Sequence, residues 1–166
     1  PMPVTLEPVT LQPVTISWMV EHGFDPQRLD KPGRYHDTPL ILASRQGRFD
    51  VVSDLATMPD AIATNALNYR NMDGTNALWA AVVADDYAIA ELLLTLGIDL
   101  DNLNDNGASV LMYAASSGKT PWVAWLLDKG ADTRAETLDG FTALDLASNI
   151  DCLRLLKRAK TGETSA

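Results

Sequence analysis

An all-α solenoid of stacked helix pairs is the fold class predicted, and three observations predict it. Gly74, Gly107 and Gly140 recur every 33 residues, a period of the size found in repeat architectures. Each glycine opens a short Ala-rich apolar run followed by a longer Leu-rich one that closes at a further glycine, such as Gly97 or Gly130. An Ala131-Asp132 step then leads into the next turn. The stretch from Asn104 to Gly140 is the clearest copy, with a first helix ending at Gly118 and a second at Gly130.

Composition narrows the function classes. With 166 residues and 46% apolar content, the chain suits one domain or one short array with a buried core. No apolar run approaches the roughly 20 residues that a membrane helix needs. The start lacks a basic region followed by an apolar run, so no signal peptide is expected, and Pro1 reads as a leftover residue ahead of Met2. A lone cysteine, Cys152, excludes an internal disulfide framework and fits a reducing compartment, so a cytoplasmic location is expected. A net charge of -9 argues against nucleic acid and anionic membranes, which both attract cationic surfaces.

In chain order, a pentad comes first: Pro3-Val4-Thr5, Pro8-Val9-Thr10 and Pro13-Val14-Thr15. Proline at every fifth position removes backbone donors and favours extended neighbours, so residues 1–14 are expected to form a Pro-rich extended arm. Residues 15–160 are expected to form the repeat domain and 161–166 a polar tail. Around Gly23 the text aligns with the second-helix ends at Gly97 and Gly130. Trp18, Met19 and Val20 then fall in a buried last turn, and residues 15–26 read as a half-repeat closing one end of the stack. The connector 27–37 is three residues longer than its counterparts. Thr38-Pro39 opens the first full repeat, since threonine caps a helix and proline at its first position loses no hydrogen bond. Phe49, Val51, Val52 and Leu55 supply its second helix, and the loop Met58 to Ala63 is longer than in later copies.

The second repeat spans Asn71 to Gly97, the third is the stretch already quoted, and the fourth starts at Leu138 with a shortened inner turn, Ser148-Asn149-Ile150. Its second helix carries Cys152, Leu153, Leu155 and Leu156 and ends in basic residues, which suit a helix C-terminus. Alanine truncation of Leu111 or Leu127 is expected to cost roughly 2–5 kcal/mol if the side chain is fully buried.

These residues resemble the ankyrin-repeat family. The turn glycines Gly74, Gly107 and Gly140, the helix starts Thr38-Pro39-Leu40 and Thr142-Ala143-Leu144, and the alanines Ala43, Ala81, Ala114-Ala115 and Ala147 match its pattern, as do the helix ends Gly97 and Gly130-Ala131-Asp132. The resemblance covers about residues 18–160 and implies an ankyrin-repeat helical solenoid with short β-turn tips. Ile41, Trp79, Met112 and Asp145 replace the family histidine, so its hydrogen bond between turns is expected to be missing. Asp85 and Asp151 stand where Gly47 and Gly118 stand in their repeats. The wording around Gly74 and Gly107 also resembles ankyrin proteins associated with bacterial nitrogen-fixation clusters.

No constellation carries chemistry. His22 and His36, the two histidines, fall near turns, and His22 is expected to meet a helix end. No His, Cys or carboxylate spacing fits zinc, and Cys152 reads as a buried structural thiol. Gly118-Lys119-Thr120 resembles the end of a phosphate loop, but Tyr113 occupies the place of its first glycine, so it reads as a turn between helices. Asp99, Asp101 and Asp105 lack the glycine and glutamate of a calcium loop. Enzymatic activity, a cofactor and a metal are therefore not expected.

What remains is surface. The resemblance implies protein binding through the turn tips and the concave face of the first helices. Carried over by position, the tips hold Arg70, Met72, Asp73, Thr75, Leu103, Asp105, Asn106, Leu138, Asp139 and Phe141, while Trp79, Val83, Met112 and Tyr113 line the helix side. Turn tips are normally polar, so the row Met72, Leu103, Leu138 and Phe141 has the composition of an interface centre. Trp122 and Trp125 read as core. From residue 71 to 118 there is no lysine or arginine but seven acidic residues, a field that would steer a basic protein surface. The expected partner is another protein, bound by a chain that is monomeric on its own. A dedicated accessory factor of one enzyme, as inhibitor, stabiliser or maturation helper, is the alternative. On this reading Trp79→Ala with Tyr113→Ala abolishes partner capture and leaves the melt nearly unchanged.

Overall fold

The computed structural model describes residues 10–59 and 66–161. Two layers of helices run through it. The helices are α1 (Pro13–Glu21), α2 (Pro39–Arg45), α3 (Phe49–Ala56), α4 (Ala77–Val83), α5 (Tyr87–Thr95), α6 (Val110–Ser116), α7 (Thr120–Asp128), α8 (Ala143–Leu146) and α9 (Ile150–Thr161). Short 3-10 turns lie at Arg34–His36 and Ala66–Asn68, and no strand occurs among the described residues. The short helices stack as α2 on α4, α4 on α6 and α6 on α8; behind them α1 packs on α3, α3 on α5 and α7 on α9.

Each short helix starts for the same reason. Thr38, Asn76, Ser109 and Thr142 have extended backbones, and their side chains accept from the N–H three residues on, at Ile41, Trp79, Met112 and Asp145. Such a cap satisfies a donor that the helix itself leaves open and contributes about 1 kcal/mol. At Thr142 the device is reciprocal, because the Asp145 carboxylate accepts from the Thr142 N–H in a capping box. Small residues let neighbouring short helices approach: Ala43, Ala77, Ala81, Ala114, Ala115 and Ala143 are all buried. Ile89, Leu93, Val123, Leu126 and Leu156 fill the second layer. Each fully buried aliphatic side chain contributes about 1.5–3 kcal/mol, so stability comes from stacking.

Several expectations need correction at the ends. Helix α1 begins at Pro13, so Pro13 and Val14 belong to a helix rather than to the extended arm; residues 1–9 lie outside the described residues. Proline is tolerated there because the first helical N–H has no partner to lose. Trp18 and Met19 are buried as expected, but Val20 points to solvent. The tail was expected to start at 161, yet Thr161 ends α9. Most of the long loop Met58 to Ala63 falls outside the described residues. Leu111 is buried as expected, whereas Leu127 is half-buried and its neighbour Leu126 fills the core position. His22 does meet a helix end, its Nδ1 donating to the Trp18 carbonyl at 2.7 Å. Cys152 is buried.

The inner turns resolve the two aspartates that stand in place of glycine. Asp85 adopts the left-handed backbone (φ 57) of Gly47 (φ 69) and Gly118 (φ 67), while Asp151 lies in the first turn of α9. Left-handed backbone strains a residue with a Cβ, though aspartate tolerates it better than most. At Asp85 the neighbouring repeat holds the side chain: its Oδ1 accepts from Lys119 Nζ and Trp122 Nε1, each at 2.9 Å. The Trp122 ring stacks on Tyr87 with centroids 3.8 Å apart. One turn further on, Glu91 accepts from Lys129 Nζ at 2.8 Å and Trp125 Nε1 at 3.0 Å. Trp122 is buried as expected, but Trp125 is only half-buried. Aromatic rings thus join α5 to α7.

This clamp has a pH signature. The Lys119 ammonium and then the Trp122 N–H hold the Asp85 carboxyl below its ordinary range, and Lys129 and then Trp125 do the same for Glu91. A depressed carboxyl contributes stability above its unfolded value, near 4, and loses it as pH falls through the folded one. Lys119, raised chiefly by Asp85, contributes below its unfolded value and loses this as pH rises through the folded one. Asp85→Asn keeps the shape and a backbone type at ease in this conformation. The gap in melting temperature between wild type and Asp85→Asn is therefore expected to shrink between about pH 6 and pH 3. A gap constant across that range would show that the ion pair contributes nothing.

Candidate interaction surface

The tips are built from backbone up. In each tip one residue closes a tight turn on the residue four places on: Asn71 N–H donates to Thr75 O, Asn104 to Ala108 O and Thr137 to Phe141 O. The anchor side chain fastens the turn again. Asn71 Oδ1 accepts from the N–H groups of Asp73 and Thr75, Asn104 Oδ1 from those of Asn106 and Ala108, and Thr137 Oγ1 from that of Phe141. Side chains of this kind mimic a backbone turn. Adjacent tips are then sewn together by one main-chain hydrogen bond each. Met72 N–H donates to Tyr35 O at 3.3 Å, Asp105 to Asp73 O and Leu138 to Asn106 O, both at 3.0 Å.

Side chains reinforce the stitching. Arg70 donates through Nε to Gly74 O and through an Nη to Leu103 O at 2.6 Å, with Asp105 Oδ1 at 3.7 Å. Asn102 Nδ2 donates to Gly74 O and Asn76 Nδ2 to Asp99 O. Trp79 Nε1 reaches Asn102 O at 3.4 Å. A hydrogen bond between repeats is therefore present at Trp79, where the histidine replacement led us to expect none, and asparagines supply the others.

Above this scaffold the expected apolar row is exposed: Met72, Leu103, Leu138 and Phe141 at the tips and Val83 on α4, with Leu138 the extreme at 79%. Asp73, Asp105, Asn106 and Asp139 are exposed beside them, and Thr75 is half-buried, its hydroxyl donating to Asn71 Oδ1. Among the described residues no helix is long and apolar enough to cross a membrane, and no three His, Cys, Asp or Glu side chains converge as metal ligands.

The family model for ankyrin repeats in three copies matches residues 12–103 and 78–164. The chain is an ankyrin-repeat protein. It is 31% identical over 108 residues to the mouse (Mus musculus) ankyrin repeat and SAM domain-containing protein 6, a match covering 64% of this chain and 12% of that protein. It is 30% identical over 145 residues to the mouse B-cell lymphoma 3 protein homolog, covering 86% of this chain and 31% of the relative. The human (Homo sapiens) B-cell lymphoma 3 protein is 30% identical over 129 residues, 75% of this chain and 28% of its own length. The chain thus spans less than a third of each of these relatives. None of the three names bears on nitrogen fixation, and that resemblance stays unsupported.

Within the ankyrin frame, two sequence-derived site residues move from surface to support. Met112 is only 2% exposed and Trp79 only 7%. Both sit three residues after a cap, and the Trp79 ring meets the Tyr113 ring of the next repeat with centroids 5.7 Å apart. Tyr113 is half-buried and Val83 is exposed. Sequence reasoning also missed the first tip. Gly33 N–H donates to Asp37 O, which aligns Arg34, Tyr35 and His36 with Met72, Asp73 and Gly74. The signal was available by counting back from the cap, since Gly74, Gly107 and Gly140 each lie two residues before theirs and His36 lies two before Thr38.

Proposed function

We propose that this ankyrin-repeat protein binds another protein along its tips, using an apolar centre within an acidic rim. The exposed row Met72, Leu103, Leu138 and Phe141 carries the reading, because four large apolar side chains stand in water at positions with no core to enter. A surface of this kind is the usual composition of an interface centre. Asp73, Asp105 and Asp139 alternate with them and favour a partner with basic residues around an apolar patch. Backbone stitching holds the row in place beforehand, so little ordering is lost on binding.

Leu138→Ser with Phe141→Ser tests this, because both side chains are exposed and surface changes of this type shift stability by no more than about 0.5 kcal/mol each. Partner capture from the native cell extract is expected to fall sharply while the melt stays in place. Undiminished capture would sink the reading. Among captured proteins, a single stoichiometric enzyme would support an accessory role, and several unrelated proteins a scaffold.

A further inference from the structure

The first tip differs from the others in ways that bear on binding. Tyr35 (φ 59) and His36 (φ 57) both hold left-handed backbones, where the later tips place glycine at the second of these positions. Such strain concentrates at functional sites, where surrounding contacts maintain it. Here Asp37 maintains it: buried, it accepts from both terminal nitrogens of Arg45 and from Asn71 Nδ2. Phe24 packs under the tip, close enough that a Cβ on Gly33 would lie 3.0 Å from its ring. The result is a half-open cavity of about 440 Å³ with Phe24 and Leu42 among its walls.

Two guanidinium groups, Arg34 and Arg45, also line it, opposed by two carboxylates: Asp37, already paired with Arg45, and the exposed Glu21. Arg45 uses two of its five N–H groups on Asp37, which leaves three for a ligand. The Arg34 side chain lies over the exposed Tyr35 ring, 5.8 Å from its centroid, and no hydrogen bond ties it down among the described residues. Charge also changes sign along the sequence. Between residues 28 and 48 the chain carries five basic residues against two acidic ones, while from 71 to 118 it carries none against seven.

We propose that this cavity is a carboxylate-binding subsite, seating the acidic end of a partner segment whose basic stretch crosses the acidic tips beyond. The inference rests on the reading that a partner lies along the tips, and it adds the direction of charge in that partner. A carboxylate suits the site because two guanidinium groups line one space, Arg34 with no carboxylate bonded to it among the described residues and Arg45 with N–H groups to spare, and guanidinium groups bind carboxylates with fixed geometry.

The test selects a random displayed peptide library on the intact protein and measures Kd of enriched peptides by fluorescence anisotropy. Enriched peptides are expected to carry acidic residues at one end and basic residues at the other. Arg34→Glu, an exposed position, is expected to weaken them about tenfold, and lysine in place of the peptide's acidic residue to restore binding to that variant. Peptides without an acidic end, or a Kd unmoved by Arg34→Glu but weakened by Leu138→Ser, would overturn the subsite and leave tip binding standing. Peptides indifferent to both changes, or no enrichment at all, would overturn both.

Discussion

Trp79→Ala is expected to destabilise the fold by about 3–5 kcal/mol, the cost of removing a large buried side chain. For a chain of this length that lowers the melting temperature on the order of 10 °C. The residue is 7% exposed, its ring nitrogen donates to Asn102 O, and the ring is tilted against Tyr113 with centroids 5.7 Å apart. Truncation therefore opens a cavity at the seam between the second and third repeats. Combining it with Tyr113→Ala deepens the loss, so the expectation of an unchanged melt does not hold for the pair. Loss of partner capture in that double variant would report a loosened stack before it reported a lost contact. A urea titration of Trp79→Ala decides the matter, and a midpoint equal to wild type would show that the ring is not packed as described.

Gly74→Ala is the second large effect, and Gly140→Ala is its control. Both glycines have left-handed backbones, φ 79 and 84, which cost a residue with a Cβ about 1–2 kcal/mol. At Gly140 nothing lies within 4 Å of the added carbon, so that cost is the whole of it. At Gly74 the added carbon would lie 2.5 Å from Asp105 Oδ1, 2.7 Å from Arg70 Nη2 and 2.9 Å from Asp105 N. Flexible ends can move away, but the Asp105 N–H is held by its bond to Asp73 O. Overpacking of this type adds about 1–3 kcal/mol. Denaturant midpoints at constant slope are expected to fall roughly twice as far for Gly74→Ala as for Gly140→Ala. Equal shifts would mean that the tips separate freely.

The fold was legible because its signals are local and repeated: a glycine two residues before each later cap, alanines on the short helix, leucines on the long one. Each follows from chemistry that a single residue expresses. The site was legible only where exposure follows from the turn itself, as at Leu138 and Phe141. Met112 and Trp79 were misplaced because their exposure depends on how the next repeat leans, which no spacing in the chain encodes. The first tip was missed for a related reason. Its connector is longer and lacks the marker glycine, and a strained Tyr35-His36 pair that tertiary contacts sustain leaves no local trace. Asp85 shows the opposite case, an aspartate at a glycine position made tolerable by Lys119 and Trp122 from 34 and 37 residues away.

The bonds from Met72, Asp105 and Leu138 to the preceding tips involve no side chain. They set the spacing of the row as marks are cut on a ruler, in material common to every amino acid but proline. The letters written beside the marks can then change while the scale stays fixed. Recognition and register are carried by different atoms of the same residues, which leaves the tips open to redesign toward a new partner without re-engineering the stack beneath them.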